Sequence, residues 1–155
     1  MLAFAGFSCI TPADAQSGEW AWISGDNTAD MAGVYGTKGT PAPGNKPGNR
    51  DSHSGWKDAS GNFWIFGGEN QSNKDYNDLW EYTPGNANGE WIWVSGSSST
   101  NATAVYGTKG TAAAANQPGA RFGQSGWMDA TGNIWIFGGN GYTSSSQGYL
   151  NDLWE

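Results

Sequence analysis

The sequence predicts an all-β fold assembled from two copies of one repeat. Segments in the first half of the 155-residue chain return in the second half, offset by about 71 residues. The apolar segments are short and bounded by turn residues, as strands are, and no useful stretch shows the 3.6-residue apolar period of a helix. The matching segments are residues 19–22 with 90–93, 34–40 with 105–111, 54–56 with 125–127, and 64–68 with 135–139. Residues 77–81 match 151–155 about three residues late, which indicates a small insertion between Gly139 and Asn151.

Each complete copy is predicted to contain four antiparallel strands. The first two are joined by a tight turn at residues 58–62, where Gly61 tolerates the positive φ of the turn, so the pair forms a β-hairpin. A loop at residues 69–77 precedes the third strand, and a second turn precedes the fourth. In the first copy the predicted strands are residues 52–58, 62–68, 78–83 and 90–95.

Large apolar side chains are expected on both faces of the fourth strand. Alternation puts Trp91 and Trp93 on one face and Ile92 and Val94 on the other, so both faces require cover from neighbouring elements. The first strand is rich in Gly and Ser, which suits a crowded innermost position. Four-stranded units of this kind describe the blades of a β-propeller, which stack face to face around a channel.

Each copy contains a motif that resembles the kelch repeat. It consists of an apolar pair, a double glycine, a spaced aromatic residue and then a tryptophan. The motif reads Ile65-Phe66-Gly67-Gly68, Asp78-Leu79-Trp80-Glu81-Tyr82 and Trp91 in the first copy, and Ile136-Phe137-Gly138-Gly139 and Leu153-Trp154 in the second. The resemblance covers residues 19–155 and implies a kelch-type β-propeller like those of bacterial secreted proteins, galactose-oxidase-like by fold. Kelch repeats have about 50 residues, so each copy carries about 20 extra, at residues 25–50 and 96–121.

The chain is expected to hold about two blades. Residues 19–24 match the last strand of a preceding blade, residues 50–96 a complete blade, and residues 121–155 three strands of another. Because closed propellers have about 4–8 blades, the propeller segment 16–155 is expected to be a fragment of a larger propeller, with further blades in cis. The alternative is an oligomer in which several copies complete one ring, and residues 19–24 pair beside 151–155.

Residues 1–15 are predicted to be a secretory signal peptide, although no basic residue precedes its apolar stretch. The Ala13-Asp14-Ala15 sequence matches the small-x-small pattern that signal peptidase cleaves, here before Gln16. The expected location is therefore extracellular or periplasmic, in a bacterium. Cys9 lies within the signal, so the mature chain is expected to have no disulfide, thiolate nucleophile or thiolate metal site.

The composition argues against nucleic-acid and membrane partners. The formal net charge of −7 disfavours binding to nucleic acid or to an anionic membrane surface. The sequence also lacks a run of about 18 apolar residues, which a membrane-spanning helix requires. We therefore expect neither a nucleic-acid partner nor a membrane span.

No catalytic residue, metal ligand or cofactor is predicted for this chain. The copper oxidases that share the propeller architecture need a Tyr–Cys cross-link and His ligands, whereas the mature chain has no Cys and one His. His53 is expected on the innermost strand, where its counterpart in the second copy is Gln124. A single His without a second ligand or a nearby acid is interpreted as a polar residue that lines the channel.

Ligand binding is predicted at the loops of one rim, where propellers place binding surfaces. Arg50 and Arg121 each follow a Pro-Gly pair. In a ring of blades they would recur around one mouth of the channel, where they suit a carboxylate or a sugar. A structural role, with bonds to loop carbonyls or to Asp58 or Asp129, is the simpler interpretation of a residue present in both copies. Tyr35 and Tyr106 are expected to anchor the loops that contain them. The candidate ligand-binding residues are Tyr35, Lys38, Arg50, Tyr106, Lys109 and Arg121.

The expected function is that of a non-catalytic extracellular scaffold that binds a protein or a glycan through its rim loops. Two alternatives stay open: part of a carbohydrate-active propeller enzyme whose catalytic residues lie outside this chain, and a purely structural repeat module of a large surface protein. An enzyme is expected to have one blade that breaks the repeat with extra Tyr, His or Glu residues facing the channel. The likeness of the two copies favours the scaffold.

Overall fold

The protein is all-β, as predicted, in a computed structural model that describes residue 18 and residues 20–85 and 89–155. The predicted signal peptide, residues 1–15, lies outside these ranges. Within them, no segment forms a helix of the length and apolar character needed to cross a bilayer. The strands are β1 (Ser54–Lys57), β2 (Phe63–Phe66), β3 (Leu79–Thr83), β4 (Glu90–Ser95), β5 (Arg121–Phe122), β6 (Ser125–Met128), β7 (Ile134–Phe137), β8 (Asn140–Tyr142), β9 (Gln147–Tyr149) and β10 (Leu153–Trp154).

The first sheet is an antiparallel meander in the order β1–β2–β3–β4. Its first turn closes through a hydrogen bond from the Asp58 amide to the Asn62 carbonyl at 3.0 Å. Gly61 has a φ of 94° in this turn, a conformation that side chains disfavour. The four strands predicted within residues 50–96 are confirmed, and β4 has the predicted bounds.

The second sheet, β6–β7–β10, repeats the first three strands of the first sheet. Trp127 lies opposite Trp135 in the second sheet, as Trp56 lies opposite Trp64 in the first. β1 and β6, the matching first strands, pack against each other. Most of the buried large apolar side chains come from β2, β3 and β7, and one comes from the loop before β3. They are Phe66, Trp80, Tyr82, Ile136 and the loop residue Tyr76.

A third, small sheet, β5–β8–β9, goes beyond the sequence prediction. It forms where the second copy carries an insertion of about three residues. The first copy has only isolated bridges at this place, between Asp51 and Glu69 and between Glu69 and Asp75. Residues 121–155 therefore contain the three strands expected there, as β6, β7 and β10, and in addition a small sheet in which the longer loop folds back on itself as the β8–β9 hairpin.

Gly55 in β1 and Gly126 in β6 occupy equivalent positions, and close packing between these strands explains only Gly126. The Ser54 hydroxyl donates to the Gln124 carbonyl at 2.8 Å, and a Cβ placed on Gly126 would lie 2.8 Å from the Ser54 Cβ. A Cβ on Gly55 would meet its nearest neighbour at 3.5 Å, an ordinary contact. Crowding therefore requires glycine at position 126 but not at position 55.

Main-chain hydrogen bonds join the two halves of the structure. The Gly68 amide donates to the Arg121 carbonyl at 2.8 Å, and the Arg121 amide donates to the Tyr76 carbonyl at 2.9 Å. Gly67 and Gly68 have positive φ, and a Cβ on Gly67 would lie only 2.7 Å from the Arg121 carbonyl oxygen. The double glycine thus permits close backbone contact between the copies.

Residues 34–46, which we call the rim loop, cover the outer edge of the first sheet. The Gly39 amide donates to the Trp93 carbonyl at 2.8 Å, and the Asn45 side chain donates to the Trp91 carbonyl at 3.1 Å. Both acceptors belong to β4, the edge strand. Part of the extra length of the first copy therefore covers an edge that would otherwise offer unpaired backbone groups.

Residues 20–24, which we call the leading segment, pair with none of the three sheets. Trp20 is fully exposed and Trp22 is 68% exposed. The Trp22 indole donates to the Ser24 carbonyl at 2.9 Å, as the Trp93 indole in β4 donates to the Ser95 carbonyl at 2.8 Å. The leading segment therefore shares one local bond with β4 but has no strand partner among the described residues, so its predicted pairing within a preceding blade stays a prediction.

Candidate functional site

The strongest polar cluster of the first copy is centred on the carboxylate of Asp78, directly before β3. Arg50 contacts it with both terminal nitrogens, at 2.7 and 2.8 Å. The Tyr35 hydroxyl and the Trp80 indole each donate to Oδ2 at 2.7 Å. The side chain of Arg50 is 4% exposed and that of Asp78 is fully buried, so the cluster is almost dry.

Arg50 also holds the surrounding main chain. Its Nε donates to the Gly48 carbonyl at 3.1 Å, and one terminal nitrogen donates to the Gly67 carbonyl at 3.0 Å. The guanidinium carbon lies 4.4 Å from the centre of the Tyr76 ring, within cation–π range. Arg50 therefore joins three segments: Gly48, which follows the rim loop; Gly67, in the double glycine; and Asp78, at the entry to β3.

The second copy builds the same cluster around Asp152. Arg121 contacts this carboxylate at 2.7 and 2.9 Å, and Tyr106 and Trp154 each donate to Oδ2 at 2.8 Å. Arg121 also donates to the carbonyls of the equivalent residues in this copy, Gly119 and Gly138. Because the bonds match one for one, the cluster is a property of the repeat.

Charge and burial set the ionisation of these groups. Burial would raise the pKa of Asp152, but hydrogen bonds from Arg121 and Trp154, together with the Arg121 charge, lower it to about 2. Burial and the neighbouring Asp78 carboxylate raise the pKa of Tyr35 well above its usual range. The carboxylate of Asp152 therefore stays ionised near neutral pH and Tyr35 stays protonated.

The structure thus places four of the six sequence-predicted site residues in these two clusters, namely Tyr35, Arg50, Tyr106 and Arg121. The bonds from the arginines to loop carbonyls agree with the structural alternative. The carboxylate partners are Asp78 and Asp152, however, and not the Asp58 or Asp129 of that alternative. The sequence did contain a signal for these two carboxylates, because an Asp stands two residues before a Trp in each copy, at Asp78 and at Asp152.

Asp58 and Asp129 have a local role in the hairpin turns. Asp58 accepts hydrogen bonds from the Asn62 amide and the Trp64 indole, at 2.9 and 3.0 Å. Asp129 accepts the same bonds from Asn133 and Trp135. Bonds from neighbours in the same turn therefore occupy these carboxylates.

The two predicted lysines lie outside the buried clusters. The Lys38 amine donates to the Gly96 carbonyl at 2.7 Å and lies 4.4 Å from the centre of the Trp93 ring. It therefore holds the rim loop against the outer strand. Lys109, its counterpart in the second copy, is exposed.

An open cleft of about 440 Å³ lies beside the rim loop, and we call it the rim cleft. Lys46 and Asp26 form an ion pair across it at 2.6 Å, and Glu90 and Trp91 contribute from the start of β4. The positions equivalent to Asp26 and Lys46 in the second copy are Ser97 and Gln117. The charges of Asp26 and Lys46 are therefore not repeated in the second copy.

Asp75 is a buried carboxyl that lies outside the Asp78 and Asp152 clusters. It is 1% exposed, and its Oδ2 has no hydrogen-bond partner among the described residues. Burial, reinforced by Glu69 and opposed by Lys74, raises its pKa to about 6. In the part of the chain that the structure describes, no group of three or more His, Cys, Asp or Glu side chains is placed to hold a metal ion.

Comparison of the chain with known protein-family models and with curated proteins gives no match. The resemblance to kelch repeats therefore rests on the residues of the two copies. The structure adds the sheet architecture and the two matched clusters.

Proposed function

We propose that the protein is a non-catalytic extracellular scaffold of the kelch-type β-propeller class, which binds a protein or a glycan through the loops of one rim. The observation that carries the proposal is the one-for-one match between the Asp78 and Asp152 clusters. Two copies that keep the same buried bonds behave as structural repeats. The loops around these clusters differ between the copies at single positions, as Asp26 and Lys46 show, whose counterparts are Ser97 and Gln117.

The arrangement of the sheets supports the propeller class. The first sheet is a four-stranded antiparallel meander, and the second sheet repeats its first three strands. The first strands of the two sheets pack together through Ser54 and Gly126, which is how innermost strands of neighbouring blades meet.

The burial and the hydrogen bonds of Arg50 and Asp78 support a non-catalytic role. Arg50 makes four hydrogen bonds inside the protein, and Asp78 accepts four. A catalytic base or acid must reach a substrate atom at hydrogen-bond distance, which these buried and occupied groups do not offer. The same groups recur in the second copy, so they serve folding in both.

The rim cleft is the proposed ligand contact, because it combines loop residues with charges that the second copy lacks. Carboxylates of Asp26 and Glu90 and the amine of Lys46 suit the hydroxyl groups of a sugar or the polar groups of a peptide. Trp91 supplies an apolar wall. We favour a glycan, since sugar recognition needs this mixture of polar groups and an aromatic surface.

A glycan array probed with the purified chain tests the glycan form of the proposal. Asp26→Ser and Lys46→Gln install the residues of the second copy in the rim cleft and are expected to reduce binding about tenfold or more. Lys57→Met is the matched control, since it also installs a second-copy residue but lies outside the rim cleft. A blank array at high protein concentration would exclude glycan binding, and equal binding by all variants would exclude the rim cleft.

A further inference from the structure

Three carboxylates of the first copy lie side by side where the loop before β3 meets the residues before β1. Asp51 forms a bridge with Glu69, and Glu69 forms a bridge with Asp75, in both cases as antiparallel partners. Directly opposite residues project to the same side of a sheet, so the three side chains share one face. We call Asp51, Glu69 and Asp75 the acid row.

Glu69 and Asp75 are the closer pair of the acid row. Main-chain hydrogen bonds of 2.8 and 3.0 Å flank this pair, from the Tyr76 amide to the Gly68 carbonyl and from the Asn70 amide to the Lys74 carbonyl. Glu69 and Asp75 are therefore a non-hydrogen-bonded pair, the type in which opposite side chains approach most closely. Like charges at such positions destabilise the pairing, so this arrangement is unfavourable unless a positive charge offsets it.

The fold of the repeat does not require the charges of the acid row. The second copy has the same two pairings at the equivalent positions, Phe122 with Asn140 and Asn140 with Tyr149. None of these three residues carries a carboxylate. The backbone arrangement therefore forms without acidic side chains, and the acid row is a feature of the first copy alone.

Asp75 is the buried end of the acid row, and its Oδ2 has no hydrogen-bond partner among the described residues. The segment after β4 covers it. The Asn101 amide donates to the Asp75 carbonyl at 2.7 Å, and the Asp75 amide donates to Asn101 Oδ1 at 2.9 Å. Burial, reinforced by Glu69, raises the pKa of Asp75 to about 6, so at pH 7 most molecules of the metal-free protein hold a buried, ionised carboxylate.

The cations nearest in sequence do not neutralise the acid row. Arg50, beside Asp51, is committed to Asp78 through both terminal nitrogens. The charge of Lys74 opposes the rise in the pKa of Asp75, but Lys74 is exposed, so water and salt screen its charge. The facing carboxylates of Glu69 and Asp75 therefore present two negative charges, which one divalent cation would balance.

We infer that Glu69 and Asp75 bind a calcium ion between their carboxylates. Because Asp75 is 1% exposed, a sugar or a peptide does not reach its unpartnered oxygen, whereas a single ion held between the two strands does. Among the described residues no group of three or more His, Cys, Asp or Glu side chains is placed to hold a metal, so neutral oxygens and water complete the site. Asn101 Oδ1 offers such an oxygen beside Asp75, since an amide oxygen has two lone pairs.

The chemistry of this site suits calcium better than magnesium. Calcium accepts carboxylate, amide and main-chain oxygens in flexible geometry, whereas magnesium demands a nearly ideal octahedron. Extracellular calcium sites have dissociation constants of about 0.1–1 mM, which a site with two carboxylates matches. A site of only oxygen ligands also disfavours the softer metals, which select thiolates and imidazoles.

Calcium binding at the acid row is separate from the proposed function and does not depend on it, because the acid row shares no residue with the lining of the rim cleft. The expected effect of the ion is structural. Tyr76, next to Asp75, accepts the main-chain bond from Arg121 that joins the two copies. An ion that fixes Asp75 against Glu69 therefore stabilises the junction between the copies.

Calorimetric titration of the metal-free chain with calcium chloride at pH 7 provides the first test. We expect one ion per chain, with a dissociation constant of about 0.1–1 mM. Asp75→Asn and Glu69→Gln each remove one charge with little change of shape and are expected to raise the constant about tenfold or more. Glu81→Gln is the matched control, because it makes the same change at a carboxylate of β3 outside the acid row, and it is expected to leave the constant unchanged. No binding by the wild type at about 10 mM calcium would overturn the inference.

Thermal unfolding separates binding from folding. In EDTA at pH 7, Asp75→Asn is expected to be at least as stable as the wild type, because it removes a buried charge. Calcium at about 10 mM is expected to raise the melting temperature of the wild type by about 3 °C or more and to leave that of Asp75→Asn unchanged. Equal stabilisation of both proteins by calcium would overturn the assigned site, and an equal response of the wild type to magnesium would overturn the choice of calcium.

Discussion

Arg50 and Asp78 form a buried two-pronged ion pair, with nitrogen–oxygen distances of 2.7 and 2.8 Å across 28 residues of sequence. The pair holds the start of the first copy against the entry to β3. Because both side chains are almost completely removed from water, each charge depends on the other for its stability. The same relationship between Arg121 and Asp152 makes it a defining contact of the repeat.

Asp78→Asn is expected to lower the free energy of unfolding by about 3–5 kcal/mol, because it leaves the Arg50 guanidinium buried without a counter-charge. Urea unfolding monitored by tryptophan fluorescence measures the change. Asp26→Asn is the matched control: it removes a partly exposed ion pair, which is worth less than about 1 kcal/mol. Similar losses for the two variants would contradict the role assigned to the Asp78 cluster.

Asp75 is expected to make the protein less stable as the pH rises through about 6. Burial raises its pKa from 3.8 to about 6, so the folded state favours the protonated carboxyl. Its contribution is fully present below pH 3.8 and is lost as the pH rises through the folded-state pKa. Unfolding free energies of the wild type and Asp75→Asn between pH 4 and 7 measure this effect. Parallel curves would show that Asp75 has no shifted pKa.

Asp152 is expected to have the opposite pH dependence. Its pKa is lowered to about 2, so its contribution is present above pH 3.8 and is lost as the pH falls toward 2. Asp152→Asn is therefore expected to flatten the loss of stability between pH 4 and 2, as measured by urea unfolding at each pH. A wild-type acid transition that the substitution leaves unchanged would assign acid sensitivity to other groups.

Gly126→Ala is expected to destabilise the protein by about 1–3 kcal/mol, because the new methyl group would meet Ser54 and Trp56 at 2.8 to 3.1 Å. Gly55→Ala is the matched control at the equivalent position of the first copy, where the nearest atom lies at 3.5 Å. Thermal unfolding of both variants measures the difference. Equal stability of the two variants would show that the contact between β1 and β6 is not tight.

The sequence predicted those features that depend on near neighbours. The hairpin turn at residues 58–62 was predicted because a glycine within an Asp-to-Asn segment acts over a few residues. The arginines were recognised as recurrent, and the expected acceptors were loop carbonyls or a neighbouring Asp such as Asp58 or Asp129; the carbonyl bonds form, but the carboxylates are Asp78 and Asp152. The true partner of Arg50 lies 28 residues away, and no local rule selects it over Asp58.

By itself, the sequence determined the all-β class, the two copies and the position of each main strand, because alternation, turn residues and repetition are local signals. Only the tertiary structure decided which carboxylates neutralise Arg50 and Arg121, since those pairs form between segments that are distant in the chain. It also decided that the rim loop covers β4 and that a short insertion becomes the β8–β9 hairpin. Those outcomes depend on which backbone edges lie free after the sheets have packed, and that information exists only in three dimensions.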